Sequence, residues 1–221
     1  MSVPDFTIVL GNKRYSSWSL RGWLLLKQTG AAFDEIVIPL DLPQTKRDIL
    51  SHNPAGRVPV IKVGDTVVWD SLAIAEYLHE RFPEAGIWPR DVGARALARS
   101  VAAEMHAGFA AVRARMPMDV CTQDPARGER ALAEPSVAAE VDRLIAIWND
   151  CRARYGSGGN FLFGDWSAAD AMYAPVVTRF ATYAVPLQGA AAAYRDAVMA
   201  TPAMAEWIAA AKAETWVIDQ A

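Results

Sequence analysis

Alanine is spread so unevenly along this chain that a single uniform layer of structure is a poor fit: it occurs 6 times in residues 1–85 and 35 times in residues 86–221. Alanine is the best helix former, whereas β-branched residues suit strands. The first stretch instead carries β-branched runs, Thr7-Ile8-Val9 and Ile36-Val37-Ile38. The chain therefore reads as an α/β part over residues 1–85 followed by an all-α part over residues 90–221. Phe82-Pro83-Glu84-Ala85-Gly86-Ile87-Trp88-Pro89 joins them, its Pro and Gly stopping the preceding helix.

Charge and cysteine content narrow the function classes. Lys plus Arg total 22 against 25 Asp plus Glu, a net charge of −3, so there is no basic surplus of the kind a nucleic-acid binder carries. No apolar run reaches the roughly 18 residues of a membrane span. The start, MSVPDFTIVLGNKR, lacks a basic segment followed by a signal-type apolar block. Cys121 and Cys151 alone make neither a disulfide framework nor a zinc cluster and read as small apolar fillers, and no metal is expected. The expectation is a reduced, cytoplasmic, soluble protein with no nucleic-acid or membrane partner.

The α/β part parses in the order β-α-β-α-β-β-α, a layer with mixed strand directions. Phe6–Leu10 is a short apolar strand, and Ser16-Ser17 precede a helix that Thr29-Gly30 end. Phe33–Leu40 is a second strand, and Thr45–Ser51 a short helix. Val58–Ile61 and Thr66–Trp69 flank Gly64-Asp65 as a hairpin, and Ser71–Arg81 is a helix. The second part predicts helices near 91–116, 136–155, 168–184, 190–199 and 202–212. Ser167-Ala168-Ala169-Asp170 opens one of them as an acidic capping box. Trp23, Trp148 and Trp207 fall at apolar helix positions and read as core.

Three segments carry residue types suited to chemistry. A hydroxyl at Ser16 or Ser17 lies beside unpaired helix N–H groups, a place that favours anions and lowers the pKa of a thiol brought there; either serine equally serves as a plain N-cap. Pro59, between the Gly56 turn and a strand, is a candidate cis bond that would turn the Val58 backbone outward as an edge for a peptide-like ligand. Asp70-Ser71 opens a helix. Ser71 suits a carboxylate and Asp70 an ammonium, the two charges of an amino-acid head group, although both residues also cap helices.

Taken in order, Tyr15-Ser16-Ser17-Trp18-Ser19-Leu20-Arg21, Asn53-Pro54-Ala55-Gly56-Arg57-Val58-Pro59, Asp70-Ser71-Leu72-Ala73-Ile74-Ala75-Glu76-Tyr77-Leu78 and Trp166-Ser167-Ala168-Ala169-Asp170 resemble the cytosolic glutathione transferase family over nearly the whole chain. Within it, the serine pair followed by Ser-x-Arg is most similar to the zeta class and related bacterial serine-type members. The resemblance implies a thioredoxin-like N-terminal domain over residues 1–85 and an all-helical domain over 90–221 that contributes the electrophile site. It implies glutathione as co-substrate, with Ser16, or Ser17 next to it, bonded to the thiolate. Val58 would pair its backbone with the cysteinyl unit beside a cis Pro59. Asp70 and Ser71 would hold the γ-glutamyl head, Arg57 the glycine carboxylate, and Trp18 would border the site. The zeta motif carries a cysteine where Trp18 stands, and that cysteine belongs to the isomerase side of the class. No Cys lies in residues 1–85, so a mixed-disulfide mechanism has no nucleophile there.

The family places the second substrate against helix 91–116, where His106 and Arg113, seven apart, lie on one helical face. With Trp18 they make an aromatic pocket with a cation, suited to a small acidic or carbonyl-bearing electrophile; an interface role for both is the alternative. The resemblance also implies a two-fold homodimer. The rival readings are a non-catalytic interaction module on the same fold and a zeta-like glutathione-dependent isomerase.

Overall fold

The computed structural model describes residues 6–218. Four strands, β1 (Phe6–Leu10), β2 (Phe33–Val37), β3 (Val60–Val63) and β4 (Thr66–Trp69), form one sheet in the order β2-β1-β3-β4. β1 runs parallel to β2, pairing Phe6 with Phe33 and Leu10 with Val37. β3 is antiparallel to both its neighbours, pairing Val9 with Val60 and Val60 with Trp69. β2 stops three residues short of the expected Leu40. Its ladder ends where Pro39 has no N–H to give, and Ile38 N donates the last bond to Leu10 O at 2.8 Å.

Helices α1 (Ser17–Gln28), α2 (Thr45–Leu50) and α3 (Ser71–Arg81) complete this part. Pro83–Ala85 forms a short 3-10 turn. The rest is helical: α4 (Val92–Ala107), α5 (Ala110–Arg115), α6 (Pro125–Leu132), α7 (Pro135–Tyr155), α8 (Ala168–Thr182), α9 (Gly189–Met199) and α10 (Pro202–Ala213). α8 is buried nearly all round, the signature of a central core helix. The capping box forms at its start. The Asp170 carboxylate accepts Ser167 N at 2.8 Å and reaches out to Leu162 N at 3.0 Å. Trp23, Trp148 and Trp207 are fully buried. Cys151 is buried and its thiol pushed up to about 12 by that burial, whereas Cys121 is partly exposed.

Two expectations need correction. The predicted helix 91–116 is two helices. Phe109 adopts the left-handed region at φ 62°, and a Cβ on Gly108 would lie 2.9 Å from Glu104 O, so the chain bends where Gly108 admits it. The carbonyls freed at the end of α4 are taken by Arg113 of α5, which donates Nε to Gly108 O at 2.9 Å and Nη2 to Met105 O and His106 O. His106 and Arg113 therefore meet across a break and not along one helical face. The second correction is α6, which the helix periodicity did not show. It starts on Asp124, whose carboxylate accepts Arg127 N at 3.0 Å, with Pro125 at the first helical position. Its Gly128 lies so close to Tyr183 that a Cβ would stand 2.0 Å from the Tyr183 carbonyl oxygen.

The contact that places the functional elements is between α1 and the turn ahead of β3. A Cβ on Gly22 would meet Pro59 Cγ at 2.6 Å, so only glycine lets the helix lie on that ring. Gly22→Ala should cost about 1–3 kcal/mol in overpacking and recover ~1 kcal/mol in helix propensity. The expected net is a Tm lower by about 2–4 °C in a scanning fluorimetry melt. An unchanged or higher Tm would show that the contact is slack.

Candidate functional site

The start of α1, the turn before β3 and the start of α3 converge on one cleft of about 400 Å³. Ser16, Trp18, Leu40, Ile49, Arg57, Val58, Pro59, Trp69, Asp70, Ser71 and His106 line it. Eight of the ten site residues picked from sequence are therefore together here: Ser16, Trp18, Arg57, Val58, Pro59, Asp70, Ser71 and His106. Ser17 is buried in the first turn of α1 and does not line the cleft, and Arg113 stands behind Trp18.

Ser16 is the N-cap of α1, and its Oγ accepts Ser19 N at 3.3 Å. It also lies 2.8 Å from Ser19 Oγ, which accepts Gly11 N at 2.8 Å. A hydroxyl has one proton and two lone pairs. In the structure Ser16 Oγ donates to Ser19 Oγ; turning both hydroxyls so that Ser19 donates instead releases the Ser16 proton to the cleft. Ser19 is thus a supporting residue that the sequence reading did not single out. Its signal was visible, a hydroxyl at the third helical position after a capping serine.

The Val58–Pro59 peptide is cis. Val58 precedes the sheet ladders, which begin at Val60, and so lies at the cleft ahead of the paired strand. The turn leading to it is shaped by buried Asn53, whose side chain donates to Arg57 O at 2.9 Å and accepts Ala55 N at 2.9 Å. The Arg57 side chain is exposed at the rim.

Asp70 serves both readings at once. Oδ1 caps α3 by accepting Leu72 N at 2.9 Å, while Oδ2 lies 3.3 Å from His106 Nε2 across the cleft. Its backbone, at φ 74°, occupies the left-handed half of the map. The next residue, Ser71, is buried with its Oγ unpaired among the described residues. A buried hydroxyl without a partner is uncommon, and this one lies in the first turn of a helix, where N–H groups favour an anion.

The far wall is cationic and aromatic. The Trp18 ring has the Arg21 guanidinium 4.4 Å and the Arg113 guanidinium 5.0 Å from its centroid, and meets the His106 ring edge-on at 5.0 Å. Arg21 is wholly buried. Its Nε donates to Met172 O at 3.1 Å, and Nη1 and Nη2 have no hydrogen-bond partner among the described residues. Burial pushes Arg21 well below the ordinary arginine value, and nearby Arg113 and Arg179 add to that. Burial likewise lowers His106. Arg21 and Arg113 push it the same way, and Asp70 opposes them. The imidazole is therefore neutral at neutral pH. Among the described residues no group of three or more His, Cys, Asp or Glu could hold a metal ion, and no helix is long and apolar enough to cross a membrane.

A family model described as "Glutathione S-transferase, N-terminal domain" matches residues 15–81, and one described as "Glutathione S-transferase, C-terminal domain" matches residues 94–210. A probable maleylacetoacetate isomerase from Caenorhabditis elegans is 26% identical over 157 residues, 71% of this chain and 72% of that protein. Among solved structures, a maleyl pyruvate isomerase, described as a bacterial glutathione S-transferase in the zeta class, superposes with TM-score 0.71 at 20% identity, covering 95% of this chain and all of that one. A glutathione transferase homolog from Burkholderia, solved with bound glutathione, gives TM-score 0.68 at 21% identity over 94% of this chain and 98% of that one. At such identities the structures speak for the fold.

The Asp70–His106 contact makes a titration prediction. His106 should titrate below its ordinary value, and Asp70→Asn should lower it further, because the carboxylate is the group that raises it. Since the unfolded chain then takes up the proton more readily, His106 subtracts stability as pH falls from the unfolded value through the folded one. An imidazole NMR titration of wild type and Asp70→Asn checks this. A rise in the variant would contradict the geometry.

Proposed function

Because the chain belongs to the glutathione S-transferase family, whose co-substrate is glutathione, we propose that the cleft between α1 and α3 binds glutathione and that Ser16 holds its sulfur as a thiolate for addition to a small electrophile. The observation that carries the reading is Ser71. Its hydroxyl is buried and, among the described residues, unpaired in the first turn of α3, next to the Asp70 carboxylate whose Oδ2 faces the cleft and His106 Nε2, as a carboxylate and ammonium side by side would require. The γ-glutamyl head meets Ser71 and Asp70, the cysteinyl backbone lies along Val58, and the glycine carboxylate reaches Arg57 at the rim.

The sulfur then lies against the first turn of α1. Two contributions favour its charged form. The helix N–H groups and dipole supply about 0.3–2 kcal/mol depending on burial. The Ser16 hydroxyl bonded to a charged sulfur adds about 1.5–3 kcal/mol. The thiol proton leaves to solvent, and the thiolate attacks an electrophilic carbon held near Trp18 and His106. Arg21 and Arg113 behind Trp18 favour a substrate that is anionic or gains negative charge on addition.

The second reading is cis–trans isomerisation, favoured by the likeness to the probable maleylacetoacetate isomerase. There the same thiolate adds to a conjugated double bond, the resulting single bond rotates, and elimination returns the thiolate. Ser16 has the same task in both readings, and Trp18 stands where the zeta motif has cysteine. A cis-dienoate substrate followed by ultraviolet absorbance with catalytic glutathione separates them, since isomerisation consumes no glutathione and transfer consumes it one for one. The reading also includes a two-fold homodimer, for which light scattering should give twice the mass of the chain.

Calorimetry with reduced glutathione should show binding, weakened about tenfold or more by Ser71→Ala, the loss of one hydrogen bond to a charged group. Ser16→Ala should raise the pKa of the bound thiol by about one to two units, one unit being 1.36 kcal/mol, while changing affinity less. The thiolate absorbance of the complex against pH reads this directly. No heat and no thermal stabilisation at millimolar glutathione would defeat the proposal.

A further inference from the structure

The turn that delivers Ser16 to the cleft is held from the opposite end of the chain. Residues 12–16 form a closed loop, with Ser16 N donating to Asn12 O at 2.8 Å and Asn12 Oδ1 accepting Leu40 N at 2.7 Å. Between those anchors, Lys13 N and Arg14 N face the residue that follows α10. Glu214 accepts both, Lys13 N on Oε1 at 2.7 Å and Arg14 N on Oε2 at 3.1 Å. Trp207 of α10 completes the grip by donating Nε1 to Lys13 O at 2.8 Å. Arg14 O accepts Val120 N at 3.2 Å.

We propose that Glu214 is a positioning residue for Ser16: its carboxylate fixes the 12–16 turn and so aims the Ser16 hydroxyl at the sulfur. This rests on the reading of Ser16 given above. Both carboxylate oxygens are committed to consecutive amides of a loop some 200 residues away in sequence, and such charge-assisted bonds are among the stronger ones. Removing them leaves two amides that only water can satisfy and loosens the turn two residues ahead of Ser16, which keeps its bonds to Trp207 and Val120 but loses the two that fix its amides. None of the groups assigned to hold glutathione itself, Arg57, Val58, Asp70 and Ser71, lies on this loop. The clamp therefore acts on ionisation of the sulfur and not on capture of the tripeptide.

The sign of the effect separates positioning from simple electrostatics. Other charges flank the loop. Lys13 pairs with Glu35 at 2.5 Å and lies between the faces of Trp23 and Trp207; Arg14 makes a bidentate pair with Asp119; Lys212 is on the last turn of α10. On the cleft side, Asp70, His106 and Arg57 line the same cleft as Ser16, and Arg21 lies behind Trp18. All of these stay in place when Glu214 is replaced. Loss of the Glu214 negative charge by itself favours an anion nearby and lowers the thiol pKa. Loss of aim removes part of the serine hydrogen bond and raises it.

The test is the thiolate titration of the glutathione complex in wild type, Glu214→Ala, Glu214→Gln and Ser16→Ala, with calorimetric affinity for glutathione alongside. Glu214→Ala should raise the bound thiol pKa by about half a unit to one unit, part of the Ser16→Ala shift. It should lower kcat at neutral pH by a matching factor of about three to ten, recover at high pH, and leave glutathione affinity within about twofold. Glu214→Gln keeps one carbonyl acceptor and should fall between; it decides the matter should the alanine variant not fold. A titration unchanged in the Glu214 variants while Ser16→Ala shifts it overturns the clamp and leaves the serine reading standing, as does a shift downward. An unchanged titration in Ser16→Ala overturns the serine reading and the clamp with it.

Discussion

Three consecutive residues of α1 face three different neighbours, and the site depends on all three contacts at once. Arg21 is buried against α8 through its bond to Met172 O. Gly22 lies on the Pro59 ring. Trp23 packs on Trp207 of α10, with ring centroids 5.3 Å apart, and donates its indole N–H to Glu35 of β2 at 2.6 Å. A helix turns 100° per residue, so successive side chains reach successive sectors. α1 is thereby fixed in rotation as well as in position, and with it the direction in which the N-terminal serine points. A helix held on one face only would leave that angle soft.

Much of this was legible in the sequence because it is local chemistry. A capping serine, a Gly-Asp hairpin turn and the Ser167–Asp170 box each involve residues within a few positions of one another, and each formed as expected. The meeting of Ser16, Val58 and Asp70 was reached only through the likeness to a family, since nothing in spacing brings residues 16, 58 and 70 together. What stayed hidden is non-local. The bend at Gly108-Phe109 looks like an unbroken apolar helix until Arg113 is seen to cap the carbonyls that the bend releases. Arg21 enters the sequence reading only as the end of the Ser-x-Arg motif, with nothing to show that it is buried. Only the packing of α8 shows that it is buried. Glu214 in a terminal segment carries no local mark at all; its partners lie at the other end of the chain.

Three arginines, Arg21 and Arg179 buried and Arg113 half-buried with Glu140 near it, explain what kind of site the cleft is. Arg21, Arg113 and Arg179 are each held by backbone carbonyls and not by carboxylates: Met172 O for Arg21, the end of α4 for Arg113, and Met116 O with Pro175 O for Arg179. Carbonyl dipoles take some of the N–H groups, leaving Nη1 and Nη2 of Arg21 without a partner among the described residues, and do not cancel the charge. The cost is visible in Arg179, which burial lowers to about 9, and in Arg21, which burial pushes well below the ordinary arginine value. Such unneutralised cations are rarely kept in a core for stability, because a buried charge without a counter-charge is unfavourable.

The same arrangement has a use on the other side of Trp18. Two guanidinium groups lie behind that ring, and His106, kept neutral by burial and by those same arginines, adds no further charge at neutral pH. The one carboxylate facing the cleft from α3, Asp70, lies at the exposed end and is partly engaged in capping. The field across the cleft therefore runs from an acidic end, suited to an ammonium, to a cationic end behind Trp18, suited to an anion. The thiolate proposed for the first turn of α1 would stand between them, with Arg21 rising from the same helix barely more than a turn beyond Ser16. The positive charge is fixed before any ligand arrives, so no reorganisation is needed when negative charge develops there. The cost of burying Arg21 with its terminal nitrogens unpartnered among the described residues and the positive charge behind Trp18 thus have the same physical origin.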